Sequence, residues 1–243
     1  MAKAPKKPEE IFAGFTSDFQ KLFGSHLISI SLYGSGARED YVPGKSDLNF
    51  LIVLSEEGIG DLKKVHDVLP KWRKRRVAVP LIMTKAFIFS SLDSYPIEFL
   101  NMQRHYVPVF GEDVLKELAF SRSSLRLQVE RELKGKILLL RARYLGTEGK
   151  DDRIRDLIAE SITAFISIFN ALLYMKGVDI PKGRSEVVRA LSGTVSVEAD
   201  ALMKCVEIKE GRKKFPLSEM ESLFENYLRE LVLLTDKVDR MEL

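Results

Sequence analysis

The sequence predicts an α+β protein in which a small sheet with flanking helices is followed by an all-α helical bundle. Up to about residue 118, segments with the apolar spacing of helices alternate with short β-rich segments, which is typical of helices layered on a sheet. Beyond that point every long apolar segment has helical spacing. A chain of 243 residues is also long enough for two domains of ordinary size.

The N-terminal half is expected to contain helices and strands in alternation. The first helix stops at Gly24, and the next segment, LISISLY, alternates apolar and small polar residues as a strand does. The segment LNFLIVL is almost continuously apolar, which favours a central strand. Pro80 predicts an edge strand or a bulge. The expected elements are helices over 9–23, 59–69 and 85–92, and strands over 27–33, 48–54, 77–83 and 97–102.

Glycine and proline residues divide the C-terminal half into segments with helical spacing, and a bundle of four long helices and one short helix is the most economical arrangement. The expected helices cover 124–145, 152–176, 185–191, 197–209 and 217–239. The predicted organisation is therefore a flexible tail over 1–8, a first domain over 9–118 and a helical bundle domain over 119–243.

The composition is typical of a protein from a reducing compartment. Cys205 is the single cysteine, so no internal disulfide forms, and with three histidines the chain has no Cys/His cluster at zinc-ligand spacing. The first residues include lysines but no apolar stretch of signal-peptide length. The longest apolar run, over 162–175, is shorter than the roughly 20 residues that span a membrane. We therefore expect a cytoplasmic protein with a buried helix there and no membrane partner.

A basic run surrounds Trp72, in the segment KWRKRR. Such a run could grip the phosphates of a nucleic acid. It is also what the solvated end of a helix looks like, and only one aromatic residue is interleaved with the charges. Because the net charge is only +3, the sequence favours the solvated helix end, and nucleic-acid binding through this run is the more distant alternative.

A turn and a triplet in the first domain suggest a site. Gly34 and Ser35 follow the first strand, where a glycine lets the backbone approach a phosphate closely. The triplet Asp47-Leu48-Asn49 opens the next strand. Because strand residues two apart point the same way, Asp47 and Asn49 should face one side together while Leu48 enters the core.

With this turn and this triplet, the sequence resembles the nucleotidyltransferases of the DNA polymerase beta superfamily, whose signature is a Gly-Ser turn followed by an acid-apolar-acid triplet at the start of a strand. The short first domain followed by helices further resembles the kanamycin and streptomycin adenylyltransferase type. The resemblance implies a nucleotidyltransferase fold with a mixed sheet. It also implies Mg²⁺-dependent transfer of a nucleotidyl group from a nucleoside triphosphate to an unknown hydroxyl acceptor, on a small molecule or a protein.

The resemblance also assigns roles to individual residues. The family uses its turn for the phosphates, two acids of the triplet for metal ions, and a third acid on a later strand. The residues that match are Gly34, Ser35, Arg38 and Ser46 for nucleotide binding, Asp47 and Glu98 for catalysis, and Asp47, Asn49 and Glu98 for Mg²⁺.

The sequence departs from the family at Asn49, where the family has its second acid. An amide oxygen can ligate Mg²⁺ but brings no negative charge, so metal affinity and rate should fall. Nearby acids that could compensate, or could be ordinary solvated loop residues, are Glu39, Asp40, Glu56 and Glu57. Glu98 has an alternative role as an ion-pair partner of Arg104 or Lys85.

Two functions from different classes follow. One is an active nucleotidyltransferase, and the other is a catalytically impaired relative that binds a nucleotide or a regulatory partner without turnover. The sequence leaves open the nucleotide base, the acceptor, and self-association through the helical half.

Overall fold

The computed structural model describes residues 4–38, 41–213 and 215–241, and the chain forms two compact units, Met1–Ala119 and Phe120–Leu243. The helices of the first unit are α1 (Phe12–Phe23), α2 (Leu69–Arg73), α3 (Lys85–Ser90) and α4 (Pro96–Arg104). Its strands are β1 (Leu27–Tyr33), β2 (Asn49–Leu54), β3 (Leu81–Thr84) and β4 (Tyr106–Gly111). The helices of the second unit are α5 (Arg122–Leu145), α6 (Asp151–Met175), α7 (Arg184–Val195), α8 (Ala199–Glu210) and α9 (Met220–Asp239).

The sheet of the first unit is mixed, with the strand order β3-β2-β1-β4. β1 is antiparallel to both β2 and β4, and β2 is parallel to β3. β2 is an inner strand and residues 50–54 are buried, which confirms the central position predicted from LNFLIVL. β3 is an edge strand, the position that Pro80 predicts. The predicted α+β class, with a mixed sheet followed by helices, is confirmed.

An aromatic cluster joins α1 to the sheet. The Phe15 ring stacks on Phe50 of β2 with a centroid distance of 4.2 Å, and meets the Trp72 ring edge-on at 5.1 Å. The helical spacing of phenylalanines in α1 puts these rings on one side, and burying each contributes roughly 1.5–3 kcal/mol. This stacking holds the start of β2 against α1. It thereby fixes which way the first side chains of β2 point.

The predicted strand over 97–102 is wrong, because that segment is helix α4. Pro96 is the first residue of this helix and Glu98 lies in its first turn. Both residue types favour the start of a helix. The fourth strand is instead β4, which contains Pro108. Proline is tolerated there because β4 lies at the sheet edge.

Two other predicted elements of the first unit differ in form. The segment predicted as a helix over 59–69 is a 3-10 helix, Gly58–Val65, which is kinked at Asp61. The strand predicted over 77–83 shortens to β3, although Val77 still makes an isolated parallel bridge to Leu48. In the predicted flexible tail Pro5 and Pro8 are buried while Lys6 and Lys7 are exposed, and the Pro5 carbonyl accepts a hydrogen bond of 3.0 Å from the Tyr41 hydroxyl.

The second unit is built around α6, which packs against α5, α7, α8 and α9. By length and composition alone α6 would be long enough and apolar enough to cross a membrane, but most of that stretch is buried inside the structure. It is therefore the buried helix that the sequence predicts. All five predicted helices are present, and α7 extends four residues past its predicted end at residue 191, to Val195.

Candidate functional site

The candidate site lies at one end of the sheet, where β1 ends and β2 and β4 begin. Tyr33, the last residue of β1, pairs with Asn49 on one side and with Tyr106 on the other. Gly34 follows with φ of 75°, and its amide donates a hydrogen bond of 2.9 Å to the carbonyl of His105. Because the Gly34 amide already donates to His105, the role of Gly34 is to turn the chain rather than to donate to a phosphate.

Gly36 holds the turn against the start of β2. It is buried, and an added Cβ would lie 2.8 Å from Leu48 Cδ2 and 3.6 Å from the Asp47 carbonyl oxygen. Ser35, the preceding residue of the turn, is exposed. Sequence reasoning missed Gly36, although the repeated glycine in GSG was a signal for such an approach.

The triplet has the alternation expected of a strand start. Leu48 and Phe50 are fully buried, whereas Asp47 is exposed and Asn49 is half-buried. Asn49 Nδ2 lies 3.7 Å from the position that a Cβ on Gly34 would take. The turn and the triplet are therefore adjacent, as the resemblance implies.

Arg76 is a site residue that sequence reasoning missed. Its Nη2 lies 3.0 Å from Asp47 Oδ1 and 3.0 Å from the Lys45 carbonyl oxygen, and its own carbonyl accepts a hydrogen bond of 2.9 Å from the Leu48 amide. The sequence reading placed it in the solvated basic run. The sequence carried no signal for this contact, because it follows from the parallel pairing of the segment after the run with β2.

Two further arginines lie near each other at the same end of the first unit. Arg38 follows the Gly34–Ala37 turn, and Arg104 is the last residue of α4, next to His105. Burial, and after it the positive charge of Arg38, lowers the pKa of the Arg104 guanidinium to about 10. Arg104 therefore stays charged at neutral pH, and the two cations lie within electrostatic reach of each other. Sequence reasoning included Arg38 but gave Arg104 no role in nucleotide binding.

The other predicted site residues take different positions. Glu98 is exposed in the first turn of α4, where a carboxylate stabilises the helix dipole, so its predicted strand position is wrong. The Ser46 hydroxyl accepts a hydrogen bond of 3.1 Å from the Val42 amide within the loop before β2. The segment VAVPLIMT, which runs alongside β2, contains no acid.

Of the acids that could compensate for Asn49, the two that the structure describes lie far from it. Glu56 and Glu57 follow the far end of β2, roughly 17 Å from Asn49 for a six-residue strand. Glu39 and Asp40 lie outside the residues that the structure describes.

At the mouth of β2, the side chains that the structure describes do not fit a two-metal centre. Two Mg²⁺ ions in such a centre are bridged by several carboxylates. Here Asp47 is paired with Arg76 and Asn49 carries no charge. Within residues 4–38, 41–213 and 215–241, no three His, Cys, Asp or Glu side chains are grouped to hold a metal ion.

The basic run does not present an aromatic surface for nucleic-acid bases. Trp72 is 2% exposed, and its Nε1 donates a hydrogen bond of 3.0 Å to Asp18 Oδ2, which also accepts one of 2.6 Å from Lys71 Nζ. Because stacking on bases needs an accessible ring, Trp72 serves the core instead.

Comparison with known proteins identifies the fold. The crystal structure of spectinomycin adenyltransferase AAD(9) from Enterococcus faecialis, solved with ATP and spectinomycin, matches with a TM-score of 0.57 and 15% identity, over 95% of this chain and 99% of that one. No protein-family model matches the sequence, and no curated protein matches it significantly. At this identity the likeness establishes a shared fold, so the nucleotidyltransferase resemblance of the sequence is confirmed for the fold.

Proposed function

We propose that this chain binds a nucleoside triphosphate on a nucleotidyltransferase scaffold and has lost most of the capacity to transfer the nucleotidyl group. One observation carries the proposal: the acid that remains at the mouth of β2, Asp47, is paired with Arg76 at 3.0 Å. The partner that a carboxylate of this kind has in a two-metal enzyme is a divalent cation. Here the cationic partner of the carboxylate is Arg76.

The charge of the site supports an anionic ligand. Arg38, Arg76 and Arg104 belong to the same end of the first unit as the Gly34–Ala37 turn. Arginine recognises phosphates through paired donors in a fixed plane. Burial, and after it the charge of Arg38, lowers the pKa of Arg104, and a bound polyanion would offset the repulsion between the two guanidinium groups.

The ligand class comes from the shared fold. The structure of AAD(9) contains ATP, and we infer a nucleoside triphosphate for this chain by that likeness. In the proposed complex the exposed Ser35 hydroxyl and the Arg38 guanidinium bind phosphate oxygens. Asn49 orients the ligand through its amide, because it lies against the turn.

An active transferase is the second candidate, because Asp47 keeps the strand-mouth position of a catalytic acid. In that case Mg²⁺ is required and the acceptor is a hydroxyl group. The AAD(9) structure contains spectinomycin, which makes spectinomycin one acceptor to test.

Calorimetry and labelling separate the two candidates. ATP is titrated into the full chain, and the same protein is then incubated with ATP labelled at the α-phosphate, Mg²⁺ and a set of hydroxyl compounds that includes spectinomycin. We expect ATP binding without transfer of label to any compound or to the protein. Transfer of label would establish the enzyme instead, and absence of ATP binding would refute both candidates. Ser35→Ala should weaken binding, whereas Glu56→Gln, at the far end of β2, is the matched control.

A further inference from the structure

The backbone of Arg76 directs its side chain to the mouth of β2. Arg76 has φ of 65°, in the left-handed region that residues with side chains rarely adopt. Its carbonyl accepts from the Leu48 amide and its own amide donates to the Arg73 carbonyl at 3.0 Å. An unfavourable backbone conformation persists where the surrounding structure imposes it, often at a functional position.

The guanidinium joins two residues of the loop before β2. Nη2 makes both contacts, to the Lys45 carbonyl and to Asp47, at 3.0 Å each. Nε and Nη1 make no hydrogen bond to the described part of the chain. The Arg76 side chain is 43% exposed and that of Asp47 57%, so a ligand can reach these donors.

The ion pair between Arg76 and Asp47 matters more for ligand binding than for the stability of the fold. An ion pair with this exposure contributes little to folding, because water screens it. Its effect on the site is larger, because the Asp47 carboxylate has a cationic partner and a positive charge lies where the resemblance implies a metal ion. A guanidinium also offers five donors in one plane, which suits phosphate oxygens.

We propose that Arg76 replaces the divalent cation of this site, so that nucleotide binding is independent of metal ions. The ligand in this inference rests on the proposed function. In this proposal Nε and Nη1 of Arg76 bind phosphate oxygens, while Asp47 and the Lys45 carbonyl hold the guanidinium in place through Nη2. The same arrangement excludes a metal ion, because Asp47, which would be the main ligand of that ion, is already paired with Arg76.

Arg76→Gly is the informative variant. Glycine adopts a φ of 65° without strain, so the variant removes the guanidinium and should still fold. Arg73→Gln is the matched control, since Arg73 is an exposed arginine of α2 and only its backbone contacts Arg76. ATP is titrated into the full-length proteins by calorimetry, once in excess EDTA and once in MgCl₂.

The unmodified chain should bind ATP equally well in EDTA and in MgCl₂. Arg76→Gly should weaken binding in EDTA by about tenfold or more, as expected for a lost charge-assisted contact, and Arg73→Gln by less than about threefold. A requirement of the unmodified chain for Mg²⁺, or unchanged affinity in Arg76→Gly, would overturn the inference while leaving nucleotide binding intact. If ATP binds in neither buffer, the proposed function is what fails.

A metal titration tests the role of Arg76 without nucleotide. Free Mn²⁺ is measured by electron paramagnetic resonance in the presence of Asn49→Asp and of Asn49→Asp/Arg76→Gly. The double variant should take up one Mn²⁺ ion because both carboxylates are then available, and Asn49→Asp alone should not, because Arg76 still occupies Asp47. Equal uptake by the two variants, or uptake by neither, would show that Arg76 is not what excludes the metal ion.

Discussion

Replacing Gly36 by alanine should destabilise the first unit, because the added methyl group would clash with named side-chain atoms. The added Cβ would lie 2.8 Å from Leu48 Cδ2 and 3.4 Å from Leu32 Cδ1. Both leucines are almost completely buried, so a shift of either side chain disturbs the close packing around it. Forcing an extra methyl group into packing of this kind costs about 1–3 kcal/mol of unfolding free energy.

Trp72 makes the measurement specific for the first unit. It is the one tryptophan of the sequence and is 2% exposed, so its fluorescence reports the unfolding of that unit in urea. Gly60→Ala is the control, because a Cβ at Gly60 meets no atom within 4 Å, and its effect should stay within about 0.5 kcal/mol.

A double variant tests the named contact. Leu48→Val removes the terminal methyl groups that a Cβ at residue 36 would meet, so Gly36→Ala should cost about 1 kcal/mol less in that background. If Gly36→Ala has the unfolding midpoint of the unmodified protein, or if the two losses simply add, the reasoning about this turn is refuted.

Three further outcomes are expected. Phe15→Ala should lower the unfolding free energy of the first unit by about 3–5 kcal/mol, whereas Phe87→Ala should be nearly neutral because that side chain is 53% exposed; similar losses would contradict the core assignment. The Cys205 thiol should react with Ellman's reagent only as the second unit unfolds, because the residue is buried and burial raises the pKa of its thiol; fast labelling of the folded chain would disprove this. Burial raises the pKa of Tyr106 from 10.0 to about 12, so the folded state holds this proton more tightly and stability should decline between those pH values. Tyr106→Phe should lessen that decline in thermal melts, and an unchanged pH dependence would argue against it.

Local sequence patterns were sufficient for the elements whose packing follows their own periodicity. The strand LISISLY has the predicted bounds, and the helical half contains the predicted helices, because alternation by two and spacing near 3.6 directly decide which side of an element is apolar. The alternation at Leu48 and Asn49 could be predicted for the same reason. These patterns depend only on neighbours in sequence.

The wrong predictions concern segments whose structure depends on residues that are distant in sequence but close in space. The segment PIEFLNM is apolar enough for a strand, but the chain enters it at Pro96 as a helix and leaves the fourth strand to a later segment with Pro108 at the sheet edge. Glu98 thereby loses the strand position that its predicted role needed. Periodicity over so short a segment cannot distinguish a helix from a strand.

The sequence by itself determined the fold class, the Gly34-Ser35 turn, the position of Asp47 and the missing charge at Asn49, because each is a property of residue types at fixed spacing. Only the tertiary structure decided that Asp47 has Arg76 as its partner. The two residues are 29 positions apart, and they meet because the segment leading into β3 runs parallel to β2 and brings its basic end to the mouth of that strand. An exposed arginine in a basic run is ordinary by composition, and its function depends on the carboxylate that the fold places 3.0 Å away.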